Sequence, residues 1–142
     1  MRSTSIDEQG ATFVLIFDKG DEFVAGLTGF ARTHALSGSH FTAIGAFQDV
    51  VLGYFDRDRK DYARIPLREQ VEVLSLIGNI ALDGGEPKIH AHVVVGRADG
   101  TAHGGHLLEA HVWPTLEVVV VESPTHLRRT TDAATGLALI RV

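Results

Sequence analysis

The residues of this chain best suited to chemistry are its eight histidines, four of which lie between residues 90 and 106. His90 and His92 are separated by one residue, so on a β-strand their side chains would point to the same face. His106 follows a segment that contains Asp99 and Gly100, a pair typical of hairpin turns. A hairpin would bring the third imidazole back beside the first two. The spacing therefore predicts a metal site with three histidine ligands.

The length of the hairpin loop decides whether His106 joins this site. A two-residue loop would turn His106 to the wrong face of the hairpin. A three-residue loop that ends at Gly100, in the left-handed conformation that glycine favours, would place His106 directly opposite His92. The same register would set His90 opposite Leu108. A bulge at the two glycines that precede His106 would undo it.

Three imidazoles in a chain without cysteine suit Zn²⁺, with Ni²⁺, Co²⁺ and Fe²⁺ as competitors. Three protein ligands leave a fourth position for water, an anion or a substrate, which is the pattern of catalytic zinc. Water bound there would be acidified towards neutral pH and would act as a nucleophile or base. Gly104 and Gly105 would leave space beside the metal.

Two glutamates within apolar runs are the candidates for a catalytic carboxylate. Glu117 precedes four valines, and Glu72 lies between two more. Each lies either on the solvent face of a sheet, which is the commoner situation, or in the interior with a partner. An inward carboxylate would orient a ligating histidine or serve as a general base beside the metal. The arginines considered as its partner are Arg64, Arg68 and Arg97.

The five other histidines are predicted to lie outside the metal site. In the three-residue register His103 points to the opposite side of the hairpin. Structural or exposed positions are expected for His34, His111 and His126. His40 precedes a glycine-containing strand, so a position near the site stays open for it.

The elements that must hold these residues indicate an α+β domain. One helix is predicted from Asp21 to Leu36, with acidic residues in its first turn and Gly38 after its end. About seven strands are predicted from runs rich in β-branched and aromatic residues. The runs are Ala11–Phe17, Phe41–Phe47, Val50–Phe55, Gln70–Leu82 with a break at Gly78-Asn79, Lys88–Gly96, Thr101–Val112, Thr115–Glu122 with an edge, bulge or bend at Pro114, and Leu137–Val142 after a turn at Ala133–Gly136. The sheet is expected to be largely antiparallel, with the helix packed on it.

Length and composition exclude several classes of protein. The 142 residues fit one domain, and the lack of cysteine excludes disulfides, thiolate metal sites and a cysteine nucleophile. The net charge of −5, with Arg128-Arg129 as the longest basic run, argues against a broad phosphate-binding surface. No apolar stretch approaches the roughly 20 residues of a membrane span. The first residues hold no hydrophobic signal core, so a cytoplasmic location is expected.

Several motifs, taken in order, resemble the plants-and-prokaryotes conserved (PPC) domain over nearly the whole chain. They are Gly45-Ala46-Phe47, Leu52-Gly53-Tyr54-Phe55-Asp56, Gly78-Asn79-Ile80, Gly85-Glu86-Pro87-Lys88-Ile89-His90-Ala91-His92, Asp99-Gly100, Gly104-Gly105-His106-Leu107 and Thr115-Leu116-Glu117-Val118-Val119. The resemblance implies an α+β fold with an antiparallel sheet and a homotrimer. It also implies a metal held by His90, His92 and His106 in prokaryotic members.

The resemblance leaves three functions open. Plant proteins with this domain carry a DNA-binding AT-hook, but this acidic chain has no such segment, so nucleic acid is not the expected partner. The histidine pattern also resembles the zinc site of acetolactate decarboxylases, which implies a small carboxylate or keto-acid ligand. The favoured hypothesis is a metal-binding protein with a small-molecule site, for which a decarboxylase-like lyase and a hydrolase are the reaction classes considered. The alternatives are an interaction module with structural or sensory zinc, and a DNA-binding regulator.

Overall fold

The structure, a computed structural model, describes residues 1–6 and 11–141, which form one sheet and one helix. The elements are β1 (Arg2–Ser5), β2 (Thr12–Asp18), α1 (Phe23–Thr33), β3 (Gly38–Asp56), β4 (Asp61–Leu67), β5 (Val71–Asp83), β6 (Glu86–Gly96), β7 (Ala102–Glu122), β8 (Arg128–Thr131) and β9 (Ala138–Arg141). The predicted α+β class is confirmed, with nine strands in place of about seven.

Four strands form a closed hydrogen-bonded circuit at the centre of the molecule. β3 pairs with β5, β5 with β6, β6 with β7, and β7 again with β3, all antiparallel. β2 and β1 extend the sheet beyond β7, and β4 lies beside the second half of β3. The β8–β9 hairpin joins β5 through a parallel pairing of Leu82 with Arg128. This terminal hairpin is the last element of the described chain.

Two long strands each replace a predicted pair of shorter ones. β3 runs for 19 residues and β7 for 21 without ending. The pairing between them shifts register at three places, which lets both strands bend while their ladder continues. One shift passes from Val112 to Leu116 on β7 and includes Pro114, so of the alternatives predicted there the structure has an irregularity within a continuous strand. Register shifts are not marked by turn residues, which explains why the sequence suggested breaks.

The core lies on the face of the sheet that α1 covers. Alternate residues of β2 and β7 are fully buried there, as their period-two pattern requires. Phe17 packs against Phe23 of the helix with ring centroids 5.3 Å apart, and Phe23 in turn contacts Phe41 of β3 at 6.1 Å. Removing such side chains from water is the main term that stabilises a domain of this size. The side chains that alternate with these buried residues lie on the opposite face of the sheet.

The helix is shorter than predicted at both ends. It starts after Glu22, whose side chain accepts a hydrogen bond from the backbone N–H of Ala25 at 2.5 Å. The acidic residue expected in the first turn is therefore the N-cap. The helix ends at Thr33, and Ala35, not Gly38, adopts the left-handed conformation, with φ of 51°. Among the described residues, no helix is long and apolar enough to span a membrane.

Three short strands were not predicted: β1, β4 and β8. The predicted break at Gly78-Asn79 is wrong, because β5 runs through it. A Cβ at Gly78 would collide with the ring of Phe41 and the carbonyl oxygen of His90, so this glycine permits close approach. The turn before β9 is confirmed by a hydrogen bond from the Gly136 N–H to the Asp132 carbonyl, 2.7 Å. Val142, the end of the predicted last strand, lies outside the described residues.

Candidate metal centre

The β6–β7 hairpin has the predicted three-residue loop. The N–H of Arg97 donates to the carbonyl of Thr101 at 2.9 Å, and the N–H of Gly100 donates to the carbonyl of Arg97 at 2.9 Å. Gly100 has a φ of +81°, in the left-handed region. His92 consequently lies opposite His106. The alternative two-residue loop is wrong.

One detail of the predicted register is also wrong. The β6–β7 ladder begins at His92–His106, and the expected pairing of His90 with Leu108 is not formed. His90 pairs with Asn79 of β5 instead, because β6 diverges from β7 at this point and stays beside β5. Since His90 and His92 alternate with the buried Ala91, both still point away from the core. The three histidines therefore share one face although only two of them are paired.

The three imidazoles converge on one point. One ligand atom from each of His90, His92 and His106 lies within 4.8 Å of the others. The Nε2 atoms of His90 and His92 are 3.3 Å apart, and the ring centroids of the three pairs are 5.1, 5.1 and 5.5 Å apart. Zn–N bonds of about 2.0–2.1 Å in a tetrahedron set two nitrogens about 3.3 Å apart. The donor set and its spacing fit a divalent transition metal.

The surroundings of His90 and His106 favour the neutral imidazole, the form that binds a metal. Burial lowers the pKa of His106 to about 4, with smaller contributions from repulsion by His90 and His92. Burial also lowers the pKa of His90, and the charge of Arg129 acts in the same direction. The Nδ1 of His106 is buried and has no hydrogen-bond partner among the described residues. A buried nitrogen without a hydrogen-bond partner costs about 1–3 kcal/mol of folding free energy. Any group that bonds to this nitrogen would therefore be favourable.

Small cavities open on both sides of the histidines. Tyr62 of β4 stacks on the ring of His106 at 4.5 Å and 25°, which fixes that ring's orientation. A cavity of about 210 Å³ lies beside this stack, and His90 and Arg129 also line it. A second of about 350 Å³ is lined by Ile77, Gly78, Asn79, His90 and His92. A larger cleft of about 600 Å³, lined by residues of β3 and β4 and by Glu109 of β7, has none of the three histidines in its wall.

The two candidate catalytic glutamates lie outside the histidine cluster. Glu72 and Glu117 are both exposed, each between buried neighbours on its strand. Among the described residues neither forms an ion pair, since Arg97 pairs with Glu69 and Arg64 with Glu109. The solvent-face alternative is therefore the one realised in this chain. Nothing in their positions supports a catalytic role, which stays a prediction.

The remaining histidines have separate surroundings. His103 pairs with Val95, away from the cluster, as the three-residue register requires. His34 stacks on Phe30, His111 bonds Asp49 and His126 bonds Ser37. His40 is exposed and pairs with Asn79, in the same cross-strand row as His90, but it is outside the metal-ligating group.

Sequence reasoning missed Tyr62, Asn79 and Arg129 as neighbours of the site. Tyr62 follows a charged loop and carries no pattern that points to the histidines. Arg129 was noticed only as half of a basic pair. Its position depends on how the terminal hairpin folds back onto β5, which no local signal encodes.

A family model, the Plants and Prokaryotes Conserved (PCC) domain, matches residues 4–124. The chain belongs to this family. The predicted PPC resemblance is thereby confirmed, since PPC and PCC denote the same domain. The PPC protein of Pyrococcus horikoshii has the same fold, with 32% identity, a TM-score of 0.87, and coverage of 92% of this chain and 91% of that one.

Two further solved structures are close to this PPC domain. A metal-containing protein from Archaeoglobus fulgidus is 36% identical, with a TM-score of 0.85 over 92% of this chain and 93% of that one. A Bacteroides thetaiotaomicron protein that is proposed to bind DNA is 28% identical, with a TM-score of 0.92 over 99% and 96%.

Two further likenesses each cover a smaller share of the other protein. A Staphylococcus aureus protein similar to α-acetolactate decarboxylase shares 13% identity and a TM-score of 0.56, over 79% of this chain and 52% of that one. This likeness shows the shared fold alone. The bifunctional protein GlmU of Synechococcus sp. strain JA-3-3Ab is 32% identical over 120 residues, and the aligned segment spans 18% of that protein's length.

Proposed function

We propose that this PPC domain binds one divalent transition metal ion, Zn²⁺ in the first place, through His90, His92 and His106. The observation that carries the proposal is the convergence of the three ligand atoms within 4.8 Å on one face of the sheet. The metal-containing relative from Archaeoglobus fulgidus supports it. A set of three neutral imidazoles without thiolate is the donor set of catalytic zinc sites.

The proposed role of the site is to bind a small oxygen-rich ligand. Three protein ligands leave a coordination position open, and a metal there would polarise an oxygen of the ligand as a Lewis acid. Tyr62 holds the ring of His106, and the adjoining cavities give a small molecule access. No carboxylate lines the described cavities that contain these histidines. A lyase-like reaction that needs an electrophile therefore fits better than hydrolysis with a glutamate base.

Metal content measured by mass spectrometry of purified protein tests the proposal. Single His90→Ala and His106→Ala variants should each lose most of the bound metal, because two imidazoles bind a divalent ion far more weakly than three. His103→Ala is the matched control, since His103 lies on the same hairpin but on the other face. It should retain the metal content of the parent chain. Equal metal content in all four proteins would refute the site.

DNA binding is the second candidate function, favoured by the relative from Bacteroides thetaiotaomicron. The net charge of −5 opposes it, and Arg129 of the basic pair is buried. DNA binding predicts an affinity for duplex that falls steeply with salt. Absence of binding at low salt would remove this candidate. The first proposal also includes assembly as a homotrimer and a cytoplasmic location.

A further inference from the structure

Among the described residues Arg129 is the one charged residue that is buried, with 8% of its surface exposed. Its neighbours Arg128 and Thr130 on β8 are both exposed, so the strand turns this single guanidinium inward. A buried cation is costly unless it is paired and fully hydrogen-bonded. The burial of the Arg129 charge therefore has to be explained by the groups around it.

The partners of this guanidinium leave it incomplete. One terminal nitrogen donates to the carbonyl of Ala138 at 2.9 Å, and the other donates to the side-chain oxygen of Asn79. The Nε–H is buried and has no partner among the described residues. No carboxylate in the described part of the chain forms an ion pair with it; Asp83, the nearby acid, is held by Lys88 at 2.7 Å. The positive charge and the Nε–H are thus left without a partner in the described part of the chain.

The cavity beside Arg129 shows which other side chains a bound partner would contact. The cavity of about 210 Å³ that Arg129 lines is shared with His90, His106 and Tyr62. The start of β9, with Ala138 and Leu139, and the preceding Leu137 supply its other wall. A ligand held here would contact a cation and an apolar wall and would face two of the three proposed metal ligands.

We propose that Arg129 is the carboxylate-binding residue of this site, and that the ligand is a short aliphatic acid with an oxygen substituent next to its carboxylate. This inference rests on the proposed function of the histidine cluster for the contact of that second oxygen. The volume is below the 300–1,000 Å³ of pockets for drug-sized ligands, which restricts the ligand to a small molecule. A planar guanidinium with a free N–H matches the geometry of a carboxylate.

The ligand class is tested by calorimetric titration of the zinc-loaded protein with lactate and with its neutral amide, lactamide. The parent chain should bind lactate more tightly. Arg129→Met should weaken lactate binding about tenfold or more and change lactamide binding less than about threefold, because a charge-assisted hydrogen bond is lost. Arg128→Met removes the same charge from the exposed neighbour and should change neither affinity. Equal lactate affinity in zinc-loaded parent and Arg129→Met would overturn the inference and leave the metal site standing.

A second measurement uses the metal-free parent chain and does not depend on the folding of the methionine variant. Its Arg129 Nε–H signal in a ¹⁵N NMR spectrum is identified by its loss in Arg129→Lys. Titration with formate should shift this signal, because the unpaired donor gains an acceptor. An unmoved signal would overturn the inference. A chain that binds no zinc but shows the shift would remove the metal proposal and keep Arg129 as a carboxylate site.

Discussion

Histidines in this chain are tuned in opposite directions by their surroundings. His106 is half buried beside two other imidazoles, and its pKa falls to about 4. His111 instead lies 2.8 Å from a carboxylate oxygen of Asp49, and this hydrogen bond raises its pKa above the usual 6.5. The first environment favours the neutral ligand form and the second favours the cation. Residue type alone predicts neither.

The His111–Asp49 pair should make stability depend on pH. Because the pKa of His111 is raised in the folded state, the pair's contribution is fully present below about pH 6.5 and is lost as pH rises through the folded-state pKa. The free energy of unfolding of the parent chain, compared with Asp49→Asn, should differ more at pH 6 than at pH 9. The difference should be at most about 1 kcal/mol, since the pair is partly exposed. Denaturant titration measures it, and a difference independent of pH would contradict the assignment.

At the scale of elements, the β6–β7 hairpin is the part of the site that could be predicted from sequence. Strand alternation places His90 and His92 together, and the Asp99-Gly100 turn chemistry selects His106. Both are local rules. The positions of Tyr62 and Arg129 depend on which strands meet after long stretches of chain, so hydrophobic pattern and turn chemistry do not encode them. For the same reason the continuity of β3 and β7 could not be predicted. Their register shifts interrupt the alternation of residues in the sequence, while the two strands remain paired.

A pair of glycine substitutions tests the role of the hairpin loop. Gly100→Ala should lower the free energy of unfolding by about 1–2 kcal/mol, because an L-residue is strained at its φ of +81°. Gly29→Ala is the matched control, in an exposed helical position with nothing within 4 Å of the new methyl group. It should raise the free energy of unfolding by up to about 1 kcal/mol. A neutral Gly100→Ala in chemical denaturation would mean that the loop does not need its left-handed residue.

For the whole molecule, the notable surface is the sheet face opposite the core. Val119, Thr42, Ile77 and His92 form one cross-strand row over four strands, and this row includes a proposed metal ligand. Ile77 is 58% exposed, and Ile44 near it is 62% exposed. Several large exposed apolar side chains on one sheet face are typical of a protein–protein interface. This face is the one we assign to the proposed homotrimer.

Sedimentation analysis of charge-introducing variants tests that assignment. The parent chain should sediment as a trimer. Ile77→Asp and Val119→Asp should shift it towards the monomer, because a carboxylate buried in an apolar interface is strongly unfavourable. Tyr54→Asp introduces the same charge at another exposed apolar position, 70% exposed and outside the row, and should leave the trimer intact. A parent chain that sediments as a monomer would refute the assembly.

The terminal hairpin that carries Arg129 begins at Arg128, whereas the family match ends at residue 124. The proposed metal ligands and the residue proposed to recognise the organic ligand therefore belong to segments that can diverge separately. Substitutions of a few residues near the carboxyl end would change which organic acid a relative binds. The three histidines would stay the same. Members of one family with the same three histidines would then differ in what they accept, and comparison of their last fifteen or so residues is where such differences should be sought.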